Sequence, residues 1–131
     1  MNNFKKYLDE LKKLNLPNDK YAVFGSGPLA IHKIRDSNDI DIVVKEDLWN
    51  KLIKKYPQEN DKLIKIGSVE IYKHWLPWFK DVNFIIDNAD IFENIRFVKL
   101  KYVLEWKKDY GRKKDKKDVK LIEKYINEMH Q

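Results

Sequence analysis

The chain has 131 residues, of which 43% are hydrophobic, 37% are charged and 13% are aromatic. This length supports one domain with a single core, and a disordered chain of similar charge usually carries fewer aromatic residues. Cysteine is absent, which excludes disulfides, thiolate zinc sites and a cysteine nucleophile. No apolar run approaches the roughly 20 residues that span a bilayer, and no secretory signal is visible. We therefore expect a cytoplasmic protein with no membrane partner.

The formal net charge of +6 is concentrated between residues 107 and 120, where eight basic side chains against three aspartates leave +5. Such a segment attracts polyanions, including nucleotides and RNA. A solvated helix face in a lysine-rich protein is the alternative, and composition alone favours it. Asp115 and Asp118 are expected to pair with neighbouring lysine or arginine residues and to hold this segment in place.

In chain order, apolar residues at helical spacing predict a helix over 4–14, followed by a short buried strand over 21–24. Pro28 then suits the first turn of a helix that ends at about Arg35. A strand over 39–44 and a helix over 46–56 follow. Two strands, 63–66 and 69–72, flank Gly67-Ser68 in the manner of a hairpin.

The second half contains an aromatic loop at 75–78, in which Trp75, Trp78 and the following Phe79 either stack a base or cover an edge of the core. A further strand is predicted over 82–86, and helices over 100–110 and 118–129. This order indicates an α+β fold formed by residues 1–131 as a single domain. It comprises a small mixed sheet flanked by helices at about 20–90 and a basic helical part at about 98–130.

Asp39 and Asp41 stand two residues apart at the start of a predicted strand. Alternate residues of a strand point to the same face, so both carboxylates project together while Ile40 and Ile42 face a core. Adjacent carboxylates repel each other unless a cation lies between them, and magnesium is bound by such pairs together with substrate phosphates. The pattern predicts magnesium ligands; a polar start to an ordinary strand is the alternative.

A third carboxylate would complete a site for two metal ions. Glu70 is the candidate, because Val69 and Ile71 face the opposite side of its strand. Asp81 and Asp87 are weaker alternatives, and an exposed strand acid is the other interpretation of Glu70.

Gly25-Ser26 follows the first predicted strand and precedes a predicted helix. Free backbone N–H groups at such a turn favour an anion, and the hydroxyl of Ser26 adds a donor. The turn is therefore a candidate phosphate-binding element, placed directly before the strand that carries the two aspartates.

Twelve residues separate Gly25-Ser26 from Asp39-Ile40-Asp41, and the tail contains Lys107, the segment Gly111-Arg112-Lys113-Lys114-Asp115, and Asp118. The first pair of motifs resembles the signature of the DNA polymerase beta-type nucleotidyltransferase superfamily, in which a Gly-Ser turn precedes a helix and an acid–apolar–acid strand follows. The tail is similar to the Lys, Gly-Arg-x-Lys-Asp and Asp pattern that closes many small bacterial and archaeal members. The resemblance covers about residues 20–122.

The resemblance implies a small mixed sheet with helices, two Mg²⁺ ions and a nucleoside triphosphate substrate. It implies catalytic and metal-binding roles for Asp39, Asp41 and Glu70, although aspartate is commoner at the third position. It implies nucleotide binding at Gly25, Ser26, Lys107 and Lys114; surface lysines without a ligand are the alternative for the last two.

The resulting hypothesis is a transfer of a nucleoside monophosphate from a triphosphate to a hydroxyl of RNA, a protein or a small molecule. A catalytically inactive module of the same fold, antitoxin-like or RNA-binding, is the first alternative. A non-specific nucleic-acid binder, which needs no divalent ion and depends steeply on salt, is the second.

Overall fold

The computed structural model describes residues 2–129, and Met1, His130 and Gln131 lie outside the described residues. The described chain contains six helices: α1 (Asn2–Lys12), α2 (Gly27–Ile31), α3 (Glu46–Lys55), α4 (Val82–Asp87), α5 (Leu100–Tyr110) and α6 (Lys113–Met129). It also contains seven strands: β1 (Tyr21–Phe24), β2 (Ile40–Val44), β3 (Gln58–Asn60), β4 (Leu63–Ile66), β5 (Val69–Tyr72), β6 (Asp90–Phe92) and β7 (Ile95–Phe97). No helix of residues 2–129 is long and apolar enough to cross a membrane.

The strands form one mixed sheet in the order β3-β4-β5-β2-β1-β7-β6. At its centre β2 runs antiparallel to β1 and parallel to β5. This pairing places Asp41 opposite Phe24 on one side and opposite Glu70 on the other. The end of β1, where the chain enters the Gly25-Ser26 turn, therefore meets the acidic start of β2.

The two faces of the sheet carry separate apolar clusters because the side chains of each strand alternate. Ile40, Ile42 and Val44 are fully buried on one face, where they pack with residues of α1 and α3. Val43 lies on the other face with apolar residues of α4, α5 and α6. Asp41 shares the alternation of Val43, so the carboxylates stand on the face that α5 and α6 cover.

The predicted α+β fold class is confirmed, with the strands of the sheet between Tyr21 and Phe97 and two long helices at the end. The first strand, the helix after β2 and the β4–β5 hairpin lie where the apolar patterns predict them. Gly67 has a φ of +59° at the hairpin turn, which is a left-handed conformation that glycine adopts without strain.

The predicted strand over 82–86 is wrong, because this segment forms α4. Asp81 caps the helix by accepting hydrogen bonds from the backbone N–H groups of Asn83 and Phe84, at 3.0 and 3.4 Å. Ile85 and Ile86 are then buried against the sheet. A short apolar run fits either structure by its periodicity, and the cap decides in favour of the helix.

Two helix boundaries differ from the sequence prediction, and three short strands were not predicted. The helix predicted over 118–129 begins earlier, at Lys113. The helix that starts at Pro28 was expected to reach about Arg35, but α2 ends at Ile31 and Lys33 takes a positive φ of 61°. The short strands β3, β6 and β7 were not predicted, because three residues give too few alternations to recognise.

Gly27 lies in tight contact with the centre of the sheet, which makes Gly27→Ala a test of this packing. A Cβ atom there would lie 2.3 Å from Cγ1 of Val23, which is fully buried. We expect Gly27→Ala to lower the free energy of unfolding by about 1–3 kcal/mol despite the better helix propensity of alanine. Urea denaturation measures the change.

The double variant Val23→Ala/Gly27→Ala is the control, because it removes the methyl group that the new Cβ would meet. Its loss of stability should be smaller than the sum of the two single losses. A Gly27→Ala protein that is as stable as the unmodified chain would contradict the contact.

Candidate active site

A cleft of about 550 Å³ opens beside the start of β2 on the face covered by α5 and α6. All seven residues that the sequence singles out line it: Gly25, Ser26, Asp39, Asp41, Glu70, Lys107 and Lys114. They come from the β1–α2 turn, β2 with its preceding residue, β5, α5 and α6. Parallel pairing of β2 with β5 places Glu70 directly beside Asp41.

The three acids lie close enough together to share a cation. One carboxylate oxygen from each of Asp39, Asp41 and Glu70 can be chosen so that all three lie within 4.8 Å of one another. Asp39 is exposed, whereas Asp41 and Glu70 are partly buried. The cluster is therefore open to solvent on the side of Asp39 and enclosed by protein behind Asp41.

Within this cluster, the pKa of Asp41 is strongly raised. Burial raises its pKa to about 8, and the neighbouring charges of Asp39 and Glu70 act in the same direction. Its Oδ1 atom is buried without a hydrogen-bond partner within the described residues. Because a buried carboxylate oxygen normally has a partner, this one fits the coordination of a hard cation, and Mg²⁺ takes oxygen ligands of this kind.

The carboxylates of Asp39 and Glu70 each accept a hydrogen bond from a neutral hydroxyl group. Ser37 is buried, and its O–H is shared between two acceptors of Asp39, the backbone carbonyl oxygen at 3.1 Å and Oδ1 at 3.2 Å. The hydroxyl of Tyr72 donates to Oε1 of Glu70 at 3.2 Å, and burial raises the pKa of Tyr72 above its usual value. Both contacts fix the side-chain direction of an acid without neutralising its charge.

The turn after β1 is shaped by its contact with Asp41. Gly25 has a φ of +61°, and a Cβ atom there would lie 2.6 Å from Oδ2 of Asp41. The position therefore requires glycine for its backbone conformation and for the space that the carboxylate occupies. Glycine at this position therefore lets the Gly25-Ser26 turn lie directly against the acidic cluster.

Ser26 is held by a charged side chain and not by a helix cap. Nη2 of Arg35 donates to Oγ of Ser26 at 2.8 Å, and Ser26 makes no side-chain cap hydrogen bond to α2. Since the oxygen accepts from Arg35, its own O–H is left to donate elsewhere. The helix that follows has only five residues, so its dipole contributes less than the sequence interpretation assumed.

Asp118 links Arg35 to the buried interior behind the cleft. Its two carboxylate oxygens accept from Nε and Nη2 of Arg35 at 2.6 and 2.7 Å. The ammonium group of Lys107 donates to the same carboxylate at 2.9 Å and lies 3.5 Å from Asp115. Lys107 is only 2% exposed, so the surface-lysine alternative is wrong for this residue.

Both buried acids of this network are paired with cations. Asp115 also accepts a hydrogen bond of 2.6 Å from Nε of Arg112, as expected for an acid that fixes the basic segment. Burial alone would raise the pKa of Asp118, but hydrogen bonds from Arg35 and Lys107 outweigh it and lower the pKa. Burial opposes ionisation of Asp115 as well, and contacts with Arg112 and Lys107 lower its pKa.

The aromatic loop divides between the core and the cleft. Trp75 stacks on Phe24 with ring centroids 4.4 Å apart, and Phe79 also packs against Phe24. These two residues cover an edge of the core, as one sequence alternative proposed. Trp75 also lines the cleft, as does Trp78, whose ring centroid lies 4.7 Å from that of Tyr110.

Several residues of the cleft were missed by the sequence interpretation. Arg35, Ser37, Tyr72 and Tyr110 line it but belong to none of the predicted motifs. Arg35 could have been recognised as a candidate, because it is an arginine between the two motifs. The positions of Ser37, Tyr72 and Tyr110 in the cleft depend on tertiary contacts that the sequence does not show. The alternative acids lie elsewhere: Asp81 caps α4, and Asp87 pairs with Lys45.

The raised pKa of Asp41 predicts a pH dependence of stability when divalent ions are removed. The folded pKa of about 8 lies above the unfolded value of 3.8, so the folded state holds the proton more tightly. Stability contributed by the protonated form should be fully present below pH 3.8 and be lost as the pH rises to about 8. Carbon-detected NMR titration with a chelator measures the pKa directly.

The Asp41→Asn variant is the control, because an amide cannot ionise and this part of the pH dependence should disappear. A pKa of Asp41 at or below its usual value in the metal-free protein would contradict the effect of burial and of the neighbouring acids.

The buried ion pairs predict an asymmetry between two acids of α6. Asp118→Ala should lower the free energy of unfolding by about 3–5 kcal/mol, because it leaves Lys107 buried with one partner fewer. Glu123→Ala removes only the exposed pair with Lys108 and should cost less than about 1 kcal/mol. Urea denaturation of both variants tests the difference, and equal losses would contradict it.

No model of a known protein family, no curated protein and no solved structure matches this chain. The interpretation of the cleft therefore depends on its own geometry and chemistry.

Proposed function

We propose that this chain is a metal-dependent nucleotidyltransferase that moves a nucleoside monophosphate from a nucleoside triphosphate to a hydroxyl group. One observation carries the proposal. Three carboxylates converge within 4.8 Å of one another, and the Gly25-Ser26 turn lies against them in the same cleft. Nucleotidyl transfer uses carboxylates that hold a divalent cation next to a group that binds the phosphates of the substrate.

Asp39, Asp41 and Glu70 are the proposed ligands of Mg²⁺, with two ions expected. Bound there, Mg²⁺ would neutralise phosphate charge and lower the pKa of the acceptor hydroxyl. A bound ion would stabilise Asp41 most, because its buried Oδ1 lacks a hydrogen-bond partner in the described chain. Ser37 and Tyr72 would keep the two flanking carboxylates turned into the cleft.

The proposed phosphate contacts come from the turn and the basic residues. Ser26 would donate its O–H to a phosphate oxygen, since Arg35 already donates to its Oγ. Lys114 is exposed at the cleft and would contact the triphosphate directly. Lys107 would act through Asp118, which holds Arg35 in place, because its own ammonium is engaged with carboxylates. Positioning and charge stabilisation of this kind provide most of the catalysis in phosphoryl transfer.

In the proposed reaction the acceptor oxygen forms a bond to the α-phosphorus as the bond to the pyrophosphate oxygen breaks. The hydroxyl proton leaves to solvent, and pyrophosphate is the second product. Nucleoside triphosphates and Mg²⁺ are abundant in the cytoplasm, where we expect the protein to act. The alternative, a catalytically inactive binding module, retains the cleft but transfers no nucleotide.

Transfer of label from α-³²P nucleoside triphosphates tests the proposal. The protein is incubated with Mg²⁺ and each triphosphate, together with cellular RNA, cellular protein or simple polyols as acceptors. We expect labelling that a chelator abolishes. Asp39→Asn and Asp41→Asn should reduce it about a hundredfold or more, because each removes a metal ligand.

Asp87→Asn is the matched control, since Asp87 is an exposed acid that pairs with Lys45 outside the cleft. It should label acceptors at the unmodified rate. Full labelling by Asp39→Asn and Asp41→Asn would exclude these acids from the mechanism. Mg²⁺-dependent stabilisation by triphosphates without any labelling would favour the inactive binding module.

A further inference from the structure

Helix α6 buries its two aspartates and exposes its lysines. Asp115 and Asp118 are buried and bind cations of the cleft wall, and Glu123 pairs with Lys108. The remaining acid, Glu128, lies in the last turn. The six lysines of the helix are exposed, and the exposed acids Glu123 and Glu128 are too few to balance them. This partition differs from that of a solvated helix with alternating charges, which forms ion pairs along its surface.

Four of these lysines form a continuous stripe, which we name the α6 lysine stripe: Lys113, Lys117, Lys120 and Lys124. At 3.6 residues per turn they fall within an arc of about 60°, and the stripe is roughly 16 Å long. All four are exposed, and none forms an ion pair with another residue of 2–129. A row of unbalanced charges at this spacing fits the backbone of a polyanion.

The stripe starts at the mouth of the cleft. Lys114 follows Lys113 directly and lines the cleft, on the side of α6 between the stripe and the buried Asp118. A polyanion lying along the stripe therefore has one end at the proposed phosphate contacts.

Beside this mouth lies a pair of aromatic side chains that is accessible to a ligand. Tyr110 is 45% exposed, and Trp78 lies 4.7 Å from it between ring centroids. The guanidinium of Arg112 lies over the ring of Tyr110, 3.9 Å from its centroid, and covers one face of that ring. Aromatic faces next to a basic groove are the combination that binds single strands, whose unpaired bases stack while the phosphates contact lysine.

We propose that the α6 lysine stripe and the Trp78–Tyr110 pair bind a single-stranded polynucleotide, whose terminal hydroxyl reaches the carboxylates as the acceptor. Its role as the acceptor rests on the proposed function, whereas the binding itself requires no catalysis. Duplexes lack accessible base faces, and an acidic peptide has no planar bases for the Trp78–Tyr110 pair. Both fit the two features less well.

Fluorescence anisotropy with labelled single-stranded RNA and DNA of the same sequence, and with the matching duplex, tests the binding over a range of salt concentrations. We expect the strands to bind more tightly than the duplex. Replacing all four stripe lysines with glutamine should weaken binding at least about tenfold and lower the salt slope by about three.

The control replaces Lys5, Lys13, Lys51 and Lys54 with glutamine. These lysines are exposed on α1, the turn after it, and α3, so the net charge changes equally at a distance from the cleft. This variant should retain most of the affinity. Tyr110→Ala should weaken binding roughly tenfold through loss of stacking, whereas Tyr110→Phe should not. Thermal unfolding followed by circular dichroism confirms that each variant is folded.

The proposal would be overturned if the stripe and control variants lost affinity equally. It would also be overturned if neither RNA nor DNA bound at low salt. A preference between RNA and DNA identifies the acceptor. If polynucleotides are labelled at full rate by the stripe variant, the proposed docking fails while nucleotidyl transfer stands. If binding depends on the stripe but nothing is labelled, the transferase proposal fails and the docking surface remains.

Discussion

Repulsion between Asp39, Asp41 and Glu70 is the interaction around which the rest of the cleft is arranged. Parallel pairing of β2 with β5 fixes Glu70 beside Asp41, so the side chains cannot separate without disrupting the centre of the sheet. Burial raises the pKa of Asp41 to about 8, and the charges of Asp39 and Glu70 act in the same direction. A fold that places acids in this way is stabilised by anything that brings positive charge to them, which is why a divalent cation fits better than any single lysine.

The surrounding residues keep this strained cluster in place without neutralising it. Gly25 leaves room for the carboxylate of Asp41, and the hydroxyls of Ser37 and Tyr72 orient its neighbours. Lys107 and Arg35 form their ion pairs with Asp118 and not with the cluster. The charges of Lys107 and Lys114 lower the pKa of Asp41, but they do not offset burial and the neighbouring acids, so a cation from outside the chain would stabilise the cluster further.

Local patterns predicted much of the fold and the part of the site that is local in sequence. The two-residue period of a strand places Asp39 and Asp41 on one face, and the glycine turn precedes them in the chain. The position of Glu70 beside them depends on a parallel pairing across about thirty residues, which no local pattern encodes. The burial of Lys107 depends on the packing of α5 against α6, and the strand predicted at 82–86 is a helix because Asp81 caps it.

Helix α6 shows how one periodic pattern can serve both the core and the surface. Its aspartates recur where the helix faces the cleft wall and are paired with cations there, whereas its lysines recur where it faces solvent. The cleft consequently has an acidic centre and a basic margin. A free polyanion is attracted by the margin but repelled by the centre. The two proposals are therefore coupled through the cation. A polynucleotide bound to the lysines can bring its terminal hydroxyl to the carboxylates only when a divalent ion lies between the hydroxyl and these acids.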